Sequence, residues 1–224
     1  MAEVATYELI DHVAVVTMDD GKANVFGPDM IAALNSHLDR AAEEAKVVLL
    51  TGRPGLFSGG FDLRVIRGDD EDVARNMTRG GARLLMRLYG LPQPLVIAST
   101  GHAVALGALC LLTGDYRVGA DGDFRIGLNE TAIGLALPPF AVMLADERLS
   151  RRHLARATLG ATIFSPEDAK DAGFLDEVVP LEKLRESALD VAREMVDLDG
   201  FAYAGTKQGL RGNAISGVLK GLGS

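Results

Sequence analysis

Cysteine is nearly absent from these 224 residues: Cys110 stands alone, so no intramolecular disulfide can form, and no paired Cys/His spacing offers a zinc site. A reducing compartment is the expectation. Clusters of Lys and Arg are missing as well. With 23 basic against 31 acidic residues and a net charge of −8, the chain has no surface suited to a phosphate backbone, although one small anion could still find a local cationic site. Low-complexity tracts are lacking, and hydrophobic residues at 48% with charged ones at 24% place the chain with folded proteins rather than disordered or fibrous ones. The opening MAEVATYELIDHV has neither a basic start before an apolar run nor an Arg/Ser-rich amphipathic pattern, so no signal or transit peptide is read and the cytoplasm is the expected location. Long charge-free runs are scarce too. Only Val96 to Gly114 approaches membrane-spanning length, and its His102, its glycines and the lack of flanking membrane signals favour a buried strand followed by a buried helix.

What is present reads as alternating strands and helices around one core. Val4–Ile10 and Val13–Asp19 are β-rich runs either side of Asp11-His12, a predicted hairpin. After the loop DDGKANVFGP, Met30, Leu34, Leu38 and Ala41 recur at helical spacing, with Pro28 suited to a first turn. KVVLLTG reads as a buried strand, RPGLFSGGFDL as a glycine-rich loop, and Val73, Met77, Leu84 and Leu88 as an amphipathic helix closed by Gly90 and Pro92. PLVIAST is a second buried strand, and the unit KVVLLTGRPGLFSGG is echoed by PLVIASTGHAVALGA about fifty residues later. From Pro138 helices dominate: Ser165 is a predicted N-cap, Gly173 a stop, and Leu184, Ala188, Val191 and Met195 an apolar stripe. The tail GTKQGLRGNAISGVLKGLGS is glycine-rich, a poor isolated helix that should pack on a partner or on the body.

Each glycine loop follows a buried strand and presents backbone N–H groups at a sheet edge, where two donors would cradle one oxygen. For an acyl carbonyl becoming an enolate such a pair is effective, since losing one donor typically raises the barrier by about 3 to 4 kcal/mol. Composition alone favours tight turns instead. The stretch RIGLNETAIGL poses a similar choice. Asn129 is a good N-cap residue and Glu130 would suit the first turn of a helix. Yet Ile126, Leu128, Ile133 and Leu135 surround that carboxylate, and desolvation would make it a better proton acceptor. Other polar residues read as structural: Ser58 lacks the G-x-S-x-G spacing, His102 is a packed histidine, Asp62 and Asp115 bond backbone, and Cys110 is core.

In order along the chain, VVLLTGRPGLFSGGFDL, GHAVALGALCLLTGDYRVGAD, IGLNETAIGL and SPEDAKDAGFLDEVVP resemble the crotonase, or enoyl-CoA hydratase/isomerase, family over nearly the whole length. The resemblance implies an α/β fold, a spiral of repeated ββα units over residues 1–195, with a helical self-association segment at 196–224 and homotrimers or dimers of trimers. It implies an acyl-CoA ligand with coenzyme A as part of the substrate, and no cofactor or metal. Backbone N–H groups of Ser58 and Leu106 would hold the thioester oxygen, Glu130 would be the base, and Lys22, Ala23, Val25, Gly60, Asp62, Leu109 and Ile133 would line the substrate. Two departures carry information. Ala105-Leu106 stands where relatives usually carry paired glycines, and Leu109 stands where hydratases of the family carry a second glutamate. Loss of a water-positioning acid harms hydration more than a proton shuttle with one base. The resemblance therefore implies a Δ3,Δ2-enoyl-CoA isomerase, with a hydratase, a thioester hydrolase or an inactive acyl-CoA-binding homologue as alternatives.

Overall fold

The computed structural model describes residues 3–66 and 68–223. Met1, Ala2, Arg67 and Ser224, which fall within the two predicted segments, lie outside them. Alternating valines and a two-residue turn make the expected hairpin of β1 (Ala5–Ile10) and β2 (Val13–Met18). The apolar runs VVLLT, LVIAS and YRVGA become β3 (Val47–Thr51), β5 (Leu95–Ser99) and β7 (Tyr116–Ala120), joined in parallel and followed by β9 (Glu177–Val179). The six strands run in the order β1-β2-β3-β5-β7-β9.

A second sheet was not legible in the sequence. The regions read as glycine loops hold β4 (Gly55–Ser58) and β6 (Gly101–Val104), and these pair in parallel with β8 (Ile126–Gly127). They are too short to show a period of two, and glycine depresses strand propensity. Glycine is nonetheless required at the crossing: a Cβ on Gly101 would lie 2.1 Å from the Gly55 carbonyl. Thus β3, β5 and β7 of the large sheet each hand the chain to β4, β6 and β8 of the small one, and this repetition is the spiral.

Helices pack on both sheets. Met30, Leu34, Leu38 and Ala41 form the buried stripe of α1 (Pro28–Glu44), and α8 (Leu184–Val196) covers the opposite face of the large sheet with Leu184, Ala188, Leu189 and Ala192. The short α2 (Leu63–Ile66) leads into α3 (Glu71–Tyr89), whose first turn is capped by Asp70. The charge-free stretch Val96 to Gly114 is β5, β6 and α4 (Leu106–Leu111), all buried apart from the half-buried His102, Val104 and Ala105, and among the described residues no helix is long and apolar enough to cross a membrane. After α5 (Pro139–Arg148) and α6 (Leu154–Thr158), α7 (Pro166–Ala172) starts on the Ser165 hydroxyl, which accepts from the Asp168 N–H, and ends at Gly173. The glycine-rich tail is a continuous helix, α9 (Gly200–Gly221), docked against α3 and α5 of its own chain.

Candidate active site

The two glycine-bearing segments and the RIGLNETAIGL stretch meet at one cavity of about 240 Å³. Gly59 and Phe61 form one wall, Ala105, Leu106 and Leu109 another, and Asn129, Glu130 and Ile133 a third. Leu63, Thr78 and Phe140 add an apolar extension from α2, α3 and α5. A wider cleft of about 790 Å³ lies beside the α8–α9 turn, but its one carboxylate, Asp199, is occupied in capping α9.

Glu130 is the only acid on the cavity wall among the described residues. Its Oε2 is buried with no hydrogen-bond partner among the described residues, and burial pushes the carboxyl above the ordinary glutamate range. A backbone hydrogen bond at Glu130 opposes this more weakly, and no described Lys or Arg pairs with the carboxylate to lower it further. The expected helix start is different in detail. Asn129 does not cap; Glu130 itself opens a single 3₁₀ turn, Thr131–Ile133, and the buried Asn129 Oδ1 lacks a partner among the described residues. Gly134 ends the turn after three residues, too soon for the α-helical cap geometry that the sequence suggested. The acid is therefore held by backbone turns, with the N–H groups of Ile133 and Leu135 both donating to its carbonyl.

Leu106 begins α4, where a first-turn N–H has no intrahelical acceptor. Among the described residues its N–H meets no backbone carbonyl, and the same is true of Phe61. Both line the cavity. Gly60, between the loops, has φ +91°, and a Cβ there would meet Ala105 Cβ at 2.9 Å and Leu106 N at 3.2 Å. Ala105 itself is forced to φ 51°, ψ −125°, a conformation suited to the glycine that the family pattern usually places here.

The remaining residues singled out by sequence fall around this centre. Ser58 does not reach the cavity: it is a fully buried strand residue opposite Ala103, its hydroxyl donates to the Asn24 carbonyl at 2.6 Å and accepts from the Gly60 N–H at 3.1 Å. The first-loop wall is built instead by Gly59 and Phe61, which sequence reasoning passed over because the turn at Gly60 that exposes them has no length-independent signature. Lys22, Ala23 and Val25 lie alongside it, since the Gly59 N–H donates to the Ala23 carbonyl at 2.8 Å and Val25 bridges Gly60. Asp62 lies outside the wall, bonded to the Arg64 N–H and guanidinium, which hold its carboxyl below the usual range. Leu109 and Ile133 line the cavity. His102 accepts from the Arg125 N–H and stacks edge-on with Phe124, as a packed histidine should, and Cys110 is buried in α4.

Known proteins share this architecture. The enoyl-CoA hydratase/isomerase family matches residues 8–214. Human mitochondrial enoyl-CoA delta isomerase 1 is 30% identical over 203 residues, 89% of this chain and 67% of that protein. A putative enoyl-CoA hydratase of Thermus thermophilus is 31% identical over 192 residues, 82% of this chain and 74% of that protein. The apo structure of an enoyl-CoA isomerase from Mycobacterium tuberculosis superposes with a TM-score of 0.94 at 39% identity, covering 99% of this chain and 97% of that one. Matched from β1 to α9 in sequence and in fold, the chain belongs to the enoyl-CoA hydratase/isomerase, or crotonase, family.

Proposed function

We propose that the protein moves the double bond of a 3-enoyl-CoA to give the trans-2-enoyl-CoA. The observation that carries this is that Glu130 is the single acid of the cavity among the described residues, with apolar Leu109 on the adjacent wall. Hydration requires a water to be held and activated between two acid–base groups, whereas a 1,3-proton shift requires one base that takes a proton and returns it.

In the reaction the Glu130 carboxylate removes a proton from carbon 2 of the thioester. The electron pair delocalises into the carbonyl, giving a dienolate whose oxygen accepts from the N–H groups of Phe61 and Leu106. Protonated Glu130 then delivers the same proton to carbon 4, and the carbonyl reforms with the double bond between carbons 2 and 3. Proton and charge balance without a co-reactant. Phe61 replaces Ser58 as the first donor because, of the two first-loop residues on the wall, Gly59 donates to the Ala23 carbonyl while the Phe61 N–H meets no backbone carbonyl among the described residues. Burial of Glu130 supports the base role by bringing its proton affinity closer to that of the carbon acid.

Separate incubation of the pure protein with a 3-enoyl-CoA and a trans-2-enoyl-CoA tests the reading. The 3-enoyl thioester should be converted without release of free coenzyme A, and Glu130→Gln should lower kcat by about 10²- to 10⁴-fold while acyl-CoA still binds. Water addition to the 2-enoyl thioester with no shift of the 3-enoyl one would make it a hydratase. Release of coenzyme A would make it a hydrolase, and consumption of neither an inactive binder.

A further inference from the structure

We infer that Gly81, which does not itself line the cavity, is a specificity-determining residue: by lacking a side chain it parks the Phe61 ring outside the acyl space and so sets how long a chain the cavity accepts. Gly81 lies in the interior of α3, where glycine weakens a helix, and it is buried. Its neighbour Gly80 explains nothing by packing: a Cβ there would meet only Ile31, at 3.7 Å. At Gly81 the surroundings are different. A Cβ would come within 2.6 Å of both Cε1 and Cζ of Phe61 and within 3.3 Å of Cδ2 of Leu106. The two side chains that touch this one bare position belong to the two residues whose N–H groups are proposed to hold the thioester oxygen.

The Phe61 ring is rigid and contacts Gly81 through its far edge, so an added methyl must turn the ring away. Phe61 lines the cavity of about 240 Å³ together with Leu63, Ile66 and Leu109, so the cavity is adjoining space into which a ring turned from Gly81 can move. A ring displaced into it removes space from the acyl chain. The carbonyl end, fixed by backbone N–H groups, loses less. The missing methyl of Gly81 therefore acts on chain length more than on thioester recognition.

The inference rests on an acyl-CoA occupying this cavity, and its test uses saturated thioesters that cannot be isomerised, so it does not depend on the reaction. Affinities of wild type, Gly81→Ala and Gly80→Ala for butanoyl-CoA and decanoyl-CoA are measured by titration calorimetry. Gly81→Ala should weaken decanoyl-CoA by about tenfold or more relative to butanoyl-CoA, the scale at which pockets discriminate methylenes, and Gly80→Ala should leave both affinities as they are. Adding Phe61→Leu to Gly81→Ala should restore the wild-type ratio. An unchanged ratio in Gly81→Ala, an equal loss for both thioesters, or no binding of either thioester by the wild type overturns the assignment. Should Gly81→Ala fail to fold, Phe61→Leu alone decides: a ring already held outside the acyl space should leave the decanoyl-to-butanoyl affinity ratio unchanged when it is shortened, and a raised ratio, which would mean that the ring fills that space in the wild type, overturns the assignment. Absence of 3-enoyl-CoA turnover by a wild type that binds both thioesters counts against the proposed reaction and not against the role of Gly81.

Discussion

A carboxyl group at a cavity wall is a charge that folding must desolvate, and Glu130 shows that cost directly. Burial raises its proton affinity, so the folded chain holds the proton more tightly than the unfolded chain does. Below the unfolded carboxylate range both states carry the proton and the native state bears no buried anion. As pH rises through the higher folded value, the native state must ionise a desolvated group and stability falls. Glu130→Gln removes that loss. Its melting midpoint should therefore exceed wild type at about pH 8, by roughly 2 to 4 °C for each kcal/mol relieved, and the gap should close at about pH 4. Calorimetric melts across that range check this, and a gap that does not vary with pH would sink it. The same sign governs turnover, which should fall in acid as the base becomes protonated. At this scale the places of Glu130, Leu106 and Leu109 around one cavity were legible from ordered motifs. Phe61 was not, since its proposed role comes from a turn and from an N–H that meets no backbone carbonyl among the described residues, neither of which a side chain announces.

Between residues and fold, the second glycine-bearing segment is an element under strain. Ala105 holds φ 51°, ψ −125°, a region in which a Cβ is disfavoured, because β6 must end and α4 begin within one residue while Leu106 N stays close to Gly60. The Ala105 N–H donates to the Gly127 carbonyl and its own carbonyl accepts from Leu109, so two neighbouring elements fix the strained conformation. Replacing Ala105 with glycine should relieve it and raise unfolding free energy by about 1 kcal/mol, the relief exceeding the entropy that glycine loses on folding. Urea denaturation measures this, and a destabilised variant would show that the alanine packs usefully. The long elements, α1, α3, β3 and β5, were readable because periodicity extends over enough residues to register. The small sheet was hidden for the opposite reason: β4, β6 and β8 are held by close backbone approach, as at Gly101 on Gly55, which composition reports only as loop.

Across the whole molecule, the tail illustrates a helix stabilised by what it touches. With glycines at 205, 209, 212 and 217, α9 has low intrinsic helicity, yet it is continuous from Gly200 to Gly221. Its anchor is ionic. Lys207 Nζ lies 2.5 Å from Asp115 Oδ2 and Arg211 Nη1 lies 2.7 Å from Asp115 Oδ1, all three side chains being at most 10% exposed. Asp115 is in turn fixed by the Leu95 N–H, so the acid at the entrance to β7 ties the C-terminal helix to the edge of β5. Lys207 spends its remaining donors on the carbonyls of Leu91 and Gln93, and Arg211 lies over the Tyr89 ring. Sequence reading gave Asp115 a backbone-bonding role, and that holds, but the pairing with residues about ninety positions away follows only from the fold. Two cations converge on one acid, and burial already pushes the Lys207 ammonium towards its neutral form. Asp115→Asn would leave both cations buried without a countercharge, a change that costs about 3 to 5 kcal/mol and should lower the melting midpoint by roughly 6 to 20 °C. Hydrogen exchange distinguishes the mechanism from general loosening: α9 amides should lose protection first while β3 and β5 keep theirs. A variant that melts with wild type would mean that apolar contacts of α9 with α3 and α5, rather than the ion triad, hold the tail in place.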